Sequence, residues 1–291
     1  MSTYLNGYTL LEKVRILLNE YSTAYCQATD TTGKYLNSQI MDGINAAQRY
    51  IYNTLFTRMP QLFEEEVALT GVSSVYTLPA DFARLRYFKD SDGCQIFPIG
   101  TAQRKLTSDT GSDRLYYRKG NTLVLDKPSL TDVCTLIYYR KPRDIDQGVS
   151  SAGGALSVTL AAATAKAIVD YYNGLTIENI TDDTIDVITD YTAARVATVS
   201  NTWAASKYYG TVSDIPEMFH FLMIPRAIFE ITGNFPVVQE KPQKSGMELF
   251  NDQLIMALRA YMGEGLDTYP EDIWTNYGEK TSGYIDNISN L

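Results

Sequence analysis

The residues able to do chemistry are few. The only histidine, His220, lies between Phe219 and Phe221 on an apolar stretch. A Ser-His-Asp or Cys-His site needs an imidazole beside a nucleophile. A lone His flanked by phenylalanines reads instead as a packing or interface residue. Cys26, Cys94 and Cys134 are scattered, without the paired spacing of a zinc site. They cannot all pair, and each reads as a small core residue. Glu64-Glu65-Glu66 and Asp182-Asp183 place carboxylates side by side, but sequence neighbours seldom converge on a substrate, so they read as surface. Asp182, Asp183 and Asp186 lack the ligand spacing of a calcium loop. No glycine-rich phosphate cradle is present. The expectation is a chain that is not an enzyme and carries no cofactor or metal.

The elements around these residues divide by period. Leu10, Leu11, Val14, Leu17, Leu18 and Tyr21 predict a helix over 10–21. A second helix is expected after Ser38 as N-cap, with Ile40, Ile44, Ala47, Ile51 and Leu55 on one face and Pro60 at its end. Period two follows. Strands are expected at Val67 and Leu69, Val75 to Leu78, Leu85 to Phe88, Gln95 to Pro98, Leu115 to Arg118, Thr122 to Leu125 and Cys134 to Arg140, with a short helix at Thr101 to Leu106. Residues 64–142 therefore read as one small antiparallel sheet. Tyr-Tyr at 116–117 and 138–139 puts one ring on each strand face, so both faces should be covered, by the chain's own helices or by a partner.

Residues 147–155, QGVSSAGGA, read as a linker. Beyond it, Val158 and Leu160, Leu175 to Ile177, Ile185 to Ile188 and Arg195 to Val199 suggest an independent β module. The helical period returns at Ile215, with Pro216 at a first helical position, a kink or break at Pro225 and an end at Gly233. A last helix is expected from about Ser245 to Met262. Residues 264–291 show no period and carry spaced aromatics, Tyr269, Trp274, Tyr277 and Tyr284.

Of 291 residues, 25 are Lys or Arg and 34 Asp or Glu, a net charge of −9. That balance argues against wrapping nucleic acid through its phosphates. The acid is uneven: residues 1–147 hold 17 basic and 16 acidic groups, 148–212 hold 3 and 6, and 213–291 hold 5 and 12. The longest apolar run, Met218 to Pro225, is far below the roughly 20 residues of a membrane span. With no export signal at the start, the chain is expected to be soluble and made in a reducing compartment.

Five segments, taken in order, resemble the head-to-tail adaptors of tailed bacteriophages, the group that includes tail tubular protein A and the tail accessory factors. They are Ile44-Asn45-Ala46-Ala47-Gln48-Arg49-Tyr50, then Tyr76-Thr77-Leu78-Pro79-Ala80-Asp81-Phe82, Tyr117-Arg118-Lys119-Gly120-Asn121-Thr122-Leu123, Ile137-Tyr138-Tyr139-Arg140-Lys141-Pro142, and Asp214-Ile215-Pro216-Glu217-Met218-Phe219-His220. The resemblance covers about 1–147 and 213–262. Block 148–212 departs from it and resembles small β modules of other phage structural proteins.

The resemblance implies an α+β fold: a helical bundle with a small antiparallel β platform over 1–147, an inserted β module over 148–212, C-terminal helices over 213–263 and an extended tail over 264–291. It implies a homo-oligomeric ring, commonly a dodecamer, docked on the portal protein and carrying the next tail or nozzle protein. Such a ring belongs to the virion neck, is made in the bacterial cytoplasm, contacts no membrane and lets genomic DNA pass without specific binding. Leu78, Pro79, Asp81, Phe82, Pro216 and His220 are the motif residues expected at interfaces. Tyr269, Trp274, Tyr277 and Tyr284 are expected to anchor the tail on the portal, ordering only against that partner. An acidic bore would pass DNA without adhesion. The competing expectation is a host-surface module whose β block binds glycan by stacking tyrosines on sugars.

Overall fold

The computed structural model describes residues 5–20, 22, 26, 33–72, 74–99, 115–125, 133–235 and 245–262. Its first helix, α1 (Gly7–Leu17), starts three residues earlier than the apolar stripe suggests. Asn6 explains the shift, because its Oδ1 accepts from Thr9 N at 2.9 Å and caps the first turn. The helix stops before Asn19, which adopts a left-handed φ of 55°. Helix α2 (Asn37–Arg58) begins one residue before the expected cap. Gln39 Oε1 closes back on Leu36 N at 3.0 Å, while Asn37 Oδ1 is held by Arg15 Nε at 2.9 Å. Ser38 therefore lies inside the first turn.

A 3-10 turn (Pro60–Phe63) leads into β1 (Glu64–Thr70), which takes in the three glutamates. The strands β2 (Val75–Thr77), β3 (Phe82–Lys89), β4 (Phe97–Pro98), β5 (Leu115–Lys119), β6 (Thr122–Leu125) and β7 (Val133–Arg140) follow. They form two sheets rather than the expected one, ordered β1-β7-β3 and β2-β6-β5-β4, and β4 runs parallel to β5. Two layers let one core form between them. Tyr76, Phe88, Tyr116, Leu123, Leu136 and Tyr138 are buried in a single cluster drawn from both sheets. The paired tyrosines split across the strand as expected: Tyr138 enters this cluster, while the Tyr139 ring meets Phe56 of α2 edge-on at 5.4 Å. Cys134 is buried, but Cys94 is exposed in the tight turn after β3, so only part of the cysteine expectation holds.

The expected linker is not one. Strands β8 (Gln147–Val149) and β9 (Ala152–Gly153) occupy it. Gly153 marks close approach: a Cβ there would lie 2.3 Å from Trp203 O. With β10 (Ser157–Thr159), β11 (Thr176–Asn179), β12 (Thr184–Val187), β13 (Asp190–Tyr191), β14 (Val196–Thr198) and β15 (Tyr208–Thr211) they form two further sheets, β13-β14-β10-β9 and β12-β11-β15-β8. Tyr172, Tyr191, Trp203 and Tyr209 fill their shared core. One carboxylate fastens the 200–203 loop to it. Asp186 Oδ1 accepts from Ser200 Oγ at 2.6 Å and Oδ2 from Trp203 Nε1 at 2.8 Å. Burial pushes the Asp186 pKa up, but these donors outweigh it and the carboxyl ends below its ordinary value.

A 3-10 turn (Glu217–Phe219) precedes α3 (His220–Thr232), which packs along α2, with α1 against both. Helix α3 runs through Pro225 without a break. Burial of Leu222, Met223, Ala227 and Ile228 offsets the missing N–H. Gly233, at φ 74°, ends it. Helix α4 (Gly246–Tyr261) opens on a capping box in which Ser245 N donates to Glu248 Oε2 at 2.7 Å. The architecture is α+β. The described residues divide into one compact unit up to Phe250 and a second from Asn251. No helix among the described residues is long and apolar enough to cross a membrane. The short helix expected at Thr101 to Leu106 lies outside the described residues.

Helix α1 meets β15 closely. Asn6 bridges Val212, and its Nδ2 donates to the buried Glu178. A Cβ on Gly210 would sit 2.6 Å from Asn6 Oδ1 and 2.8 Å from Tyr8 N. Gly210→Ala is therefore expected to lower unfolding free energy by about 1–3 kcal/mol. Urea titration followed by circular dichroism checks this, and an unchanged midpoint would refute so close a contact.

Candidate functional site

Residues 141–146 join β7 to β8 outside the named strands, and only at their end does β15 reach them, where Thr211 N donates to Asp146 O at 2.9 Å. Buried amides and carbonyls there still need partners. Helix α2 supplies several of them and further contacts beside them from positions 45, 48, 49 and 52, one face at helical spacing, while Asp214, Tyr171 and Thr211 take the amides of Arg143, Asp144 and Asp146. Asn45 Oδ1 accepts from Ile145 N at 2.7 Å and Asn45 Nδ2 donates to Ile145 O at 3.1 Å. Gln48 Nε2 donates to Arg143 O at 2.8 Å. Tyr52 Oη donates to Arg140 O at 2.9 Å, and Arg49 Nη1 to Asp144 Oδ1 at 2.9 Å. Ser213 Oγ closes the far side by donating to Gln48 Oε1. The helix thus grips an extended segment much as a neighbouring strand would.

A buried ion cluster sits at one end of this seam. Asp214 takes Arg143 Nη2 at 2.7 Å on Oδ1, and Arg143 Nε and the Arg143 amide at 2.9 Å each on Oδ2. Arg140 adds a further contact to the same carboxylate, and Arg143 Nη1 also donates to Asn173 O in the β module. Burial raises the Asp214 pKa, but the Arg143 fork and the Arg140 charge win, holding it below the ordinary value.

Of the motif residues, Asp81 and Phe82 meet the end of β7 and the start of this stretch. Asp81 Oδ1 accepts from Tyr138 Oη at 2.9 Å, and Asp81 O accepts from Lys141 N at 2.7 Å. Phe82 stacks on Tyr138 with ring centroids 5.7 Å apart. Leu78 is buried in the platform core, and Pro79 O turns the chain by accepting from Phe82 N at 3.1 Å. Pro216 caps the 3-10 turn before α3 rather than entering the α-helix itself. His220 is buried and its Nε2 lies 2.8 Å from Ile215 O. Its Nδ1 has no hydrogen-bond partner among the described residues, and burial lowers its pKa. Tyr269, Trp274, Tyr277 and Tyr284 lie outside the described residues.

Asp146 is the electrostatic opposite of Asp214. It is fully buried, and its Oδ2 accepts from Tyr209 Oη at 2.7 Å. Burial pushes its pKa up to about 6, and hydroxyl and amide donors recover only part of that cost. These polar groups are engaged with one another and with backbone. No nucleophile is paired with a base here, and no three His, Cys, Asp or Glu among the described residues are grouped to hold a metal.

The model of the SU10 adaptor protein family matches residues 5–171. The chain belongs to that family. No curated protein matches it. The match spans α1, α2, the platform and the 141–146 seam, and runs on through β8, β9 and β10. The family shown is the SU10 adaptor family; the narrower likeness to tail tubular protein A lies beyond that match. Membership makes the chain a bacteriophage structural adaptor of a typically non-enzymatic kind. It places the chain in the virion and implies assembly with other virion proteins such as portal and tail.

Sequence reasoning singled out the Asn45 to Tyr50 segment without its role. It missed Asp146 and Arg143. The available signal was the polar spacing 45-48-49-52, which continues past the quoted motif.

Two outcomes follow. Asn45→Ala leaves the Ile145 amide and carbonyl unpaired and should cost about 2–4 kcal/mol. Arg49→Ala, which breaks an exposed pair, should cost below about 1 kcal/mol. Equilibrium unfolding of both variants checks the contrast. The folded-state pKa of Asp146 is raised above its unfolded value, so its effect is least adverse in acid and destabilises as pH rises. Between pH 5 and pH 8 this group should remove about 1–2 kcal/mol of stability. Thermal melts across that range should show the loss in the native chain and its absence in Asp146→Asn.

Proposed function

We propose that this SU10-family adaptor forms a ring between portal and tail that retains the packaged genome and then lets it pass. The family match carries this reading. The ring is of the dodecameric kind that the adaptor resemblance implies. In it, residues 1–147 and 213–263 serve as the adaptor body and 148–212 as an inserted β module, the first part of which, to residue 171, the family model also matches. The segment 264–291 docks on the portal through Tyr269, Trp274, Tyr277 and Tyr284, and the segments that carry the family-motif residues Leu78, Pro79, Asp81, Phe82, Pro216 and His220 lie at interfaces of the ring.

Charge supports the division of labour. The last 28 residues hold one Lys against six carboxylates, while residues 1–147 are balanced. Acid that faces a bore repels phosphate.

The test is mass photometry of the full chain mixed with the portal of its own phage. The expected result is a discrete multi-copy complex that a chain lacking 264–291 fails to form while keeping its circular dichroism spectrum. A monomer that stays monomeric beside the portal would overturn the ring. Docking that survives the deletion would overturn the role of the tail segment.

A further inference from the structure

The sheet β1-β7-β3 ends in two edges of opposite charge, with β3 met among the described residues only at Phe88 and Lys89, where Ile96 N donates to Phe88 O at 2.8 Å and Gln95 bridges Lys89. Strand β1 begins with Glu64, Glu65 and Glu66, and β3 carries Arg84, Arg86 and Lys89. Some of this charge is used within the chain. Arg86 pairs with Glu64 across β7, and Arg140 Nε lies 3.4 Å from Glu65 Oε2. Glu66 on one edge and Arg84 on the other are exposed and have no ion-pair partner among the described residues.

Beside Arg84 lies an open groove of about 530 Å³ between the end of α2 and β3. Phe56, Pro60, Arg84, Arg86, Tyr87 and Tyr139 line it. Tyr87 is 39% exposed there, a large aromatic left half in water. The register of β3 slips between Phe82 and Arg84 and again between Leu85 and Tyr87. An edge bent in this way resists open-ended strand pairing, so side chains rather than a continuous ladder would make the contact.

We propose that the basic, aromatic groove at β3 of one copy receives the glutamate-bearing β1 edge of the next copy. Charge selects this arrangement over the symmetric ones. Edge β1 against β1 sets Glu on Glu, and β3 against β3 sets Arg on Arg. Only β1 against β3 is attractive. Such a contact is heterologous, and heterologous contacts close into rings when the rotation between copies allows it. The inference rests on the ring reading and adds to it which surfaces meet.

The experiment uses Glu66→Lys, Arg84→Glu and the double swap, each in the full chain and each with its portal. Both residues are exposed, so folding should be retained, and circular dichroism confirms it. Either single change sets like charges in the contact and should lower the fraction of multi-copy complexes about tenfold at fixed concentration. The double swap restores attraction and should return to within about twofold of the native chain. Native complexes with variants that assemble equally well would overturn this contact and leave the ring intact. A native chain that forms no multi-copy complex would overturn the ring and the contact with it. Hydrogen exchange supplies the second readout. Protection of residues 84–87 that appears with portal and persists in Glu66→Lys would give the groove to the portal and overturn the proposal.

Discussion

The pairing of Asn45 with the Ile145 backbone is the constraint on which the other arrangements depend. Both hydrogen bonds are buried, and both come from one side chain of α2. Residue 145 lies outside every strand, so its buried amide and carbonyl would have no partner without this side chain. Gripping them on α2 fixes where β7 leaves the platform and where β8 enters the β module. Arg143 then faces both Asp214, ahead of α3, and Asn173 in the module. One helix face thereby indexes platform, module and α3 against each other. The α1 contact to β15 through Asn6 secures the module at a second point.

Electrostatics within this frame is local, which the net charge of a region conceals. Residues 1–147 are nearly neutral in sum. Their charge is nonetheless sorted, with glutamates at the start of β1 and arginines along β3, on opposite edges of one sheet. A sum over sequence cannot show this, because the two strands become opposite edges only when β7 inserts between them. Sorting of this kind gives a surface direction, which an evenly mixed surface lacks.

Much of the fold was legible, and the misses have specific causes. The apolar stripes of α2 and α3 stand out because core contact demands them at helical period. The start of α1 was displaced because its cap, Asn6, precedes the stripe. The 147–155 segment read as a linker because glycine and serine there suggest turns, whereas Gly153 is small to let Trp203 O approach. The seam was least legible. Asn45, Gln48, Arg49 and Tyr52 occupy the polar stripe of an amphipathic helix, which by default reads as facing solvent. Their partners lie about 90–100 residues away in sequence, and only the folded chain joins them.

Asp214 and Asp146 show how the seam handles buried charge. Both carboxylates are withdrawn from water and both bear the desolvation cost first. Asp214 meets an arginine fork and a second guanidinium, so its charged form is favoured and it can hold two segments together. Asp146 meets hydroxyls and amides, whose dipoles compensate a full charge only in part. Lys166, whose charge offsets part of that cost, is itself engaged with Asp144 at 3.1 Å. Yet Tyr209 is fully buried in the module core, and its hydroxyl needs an acceptor. An apolar residue at 146 would remove the charge and strand that hydroxyl. The carboxylate therefore trades a cost that rises with pH for a satisfied Tyr209, and that trade keeps the module core attached to the chain segment α2 holds.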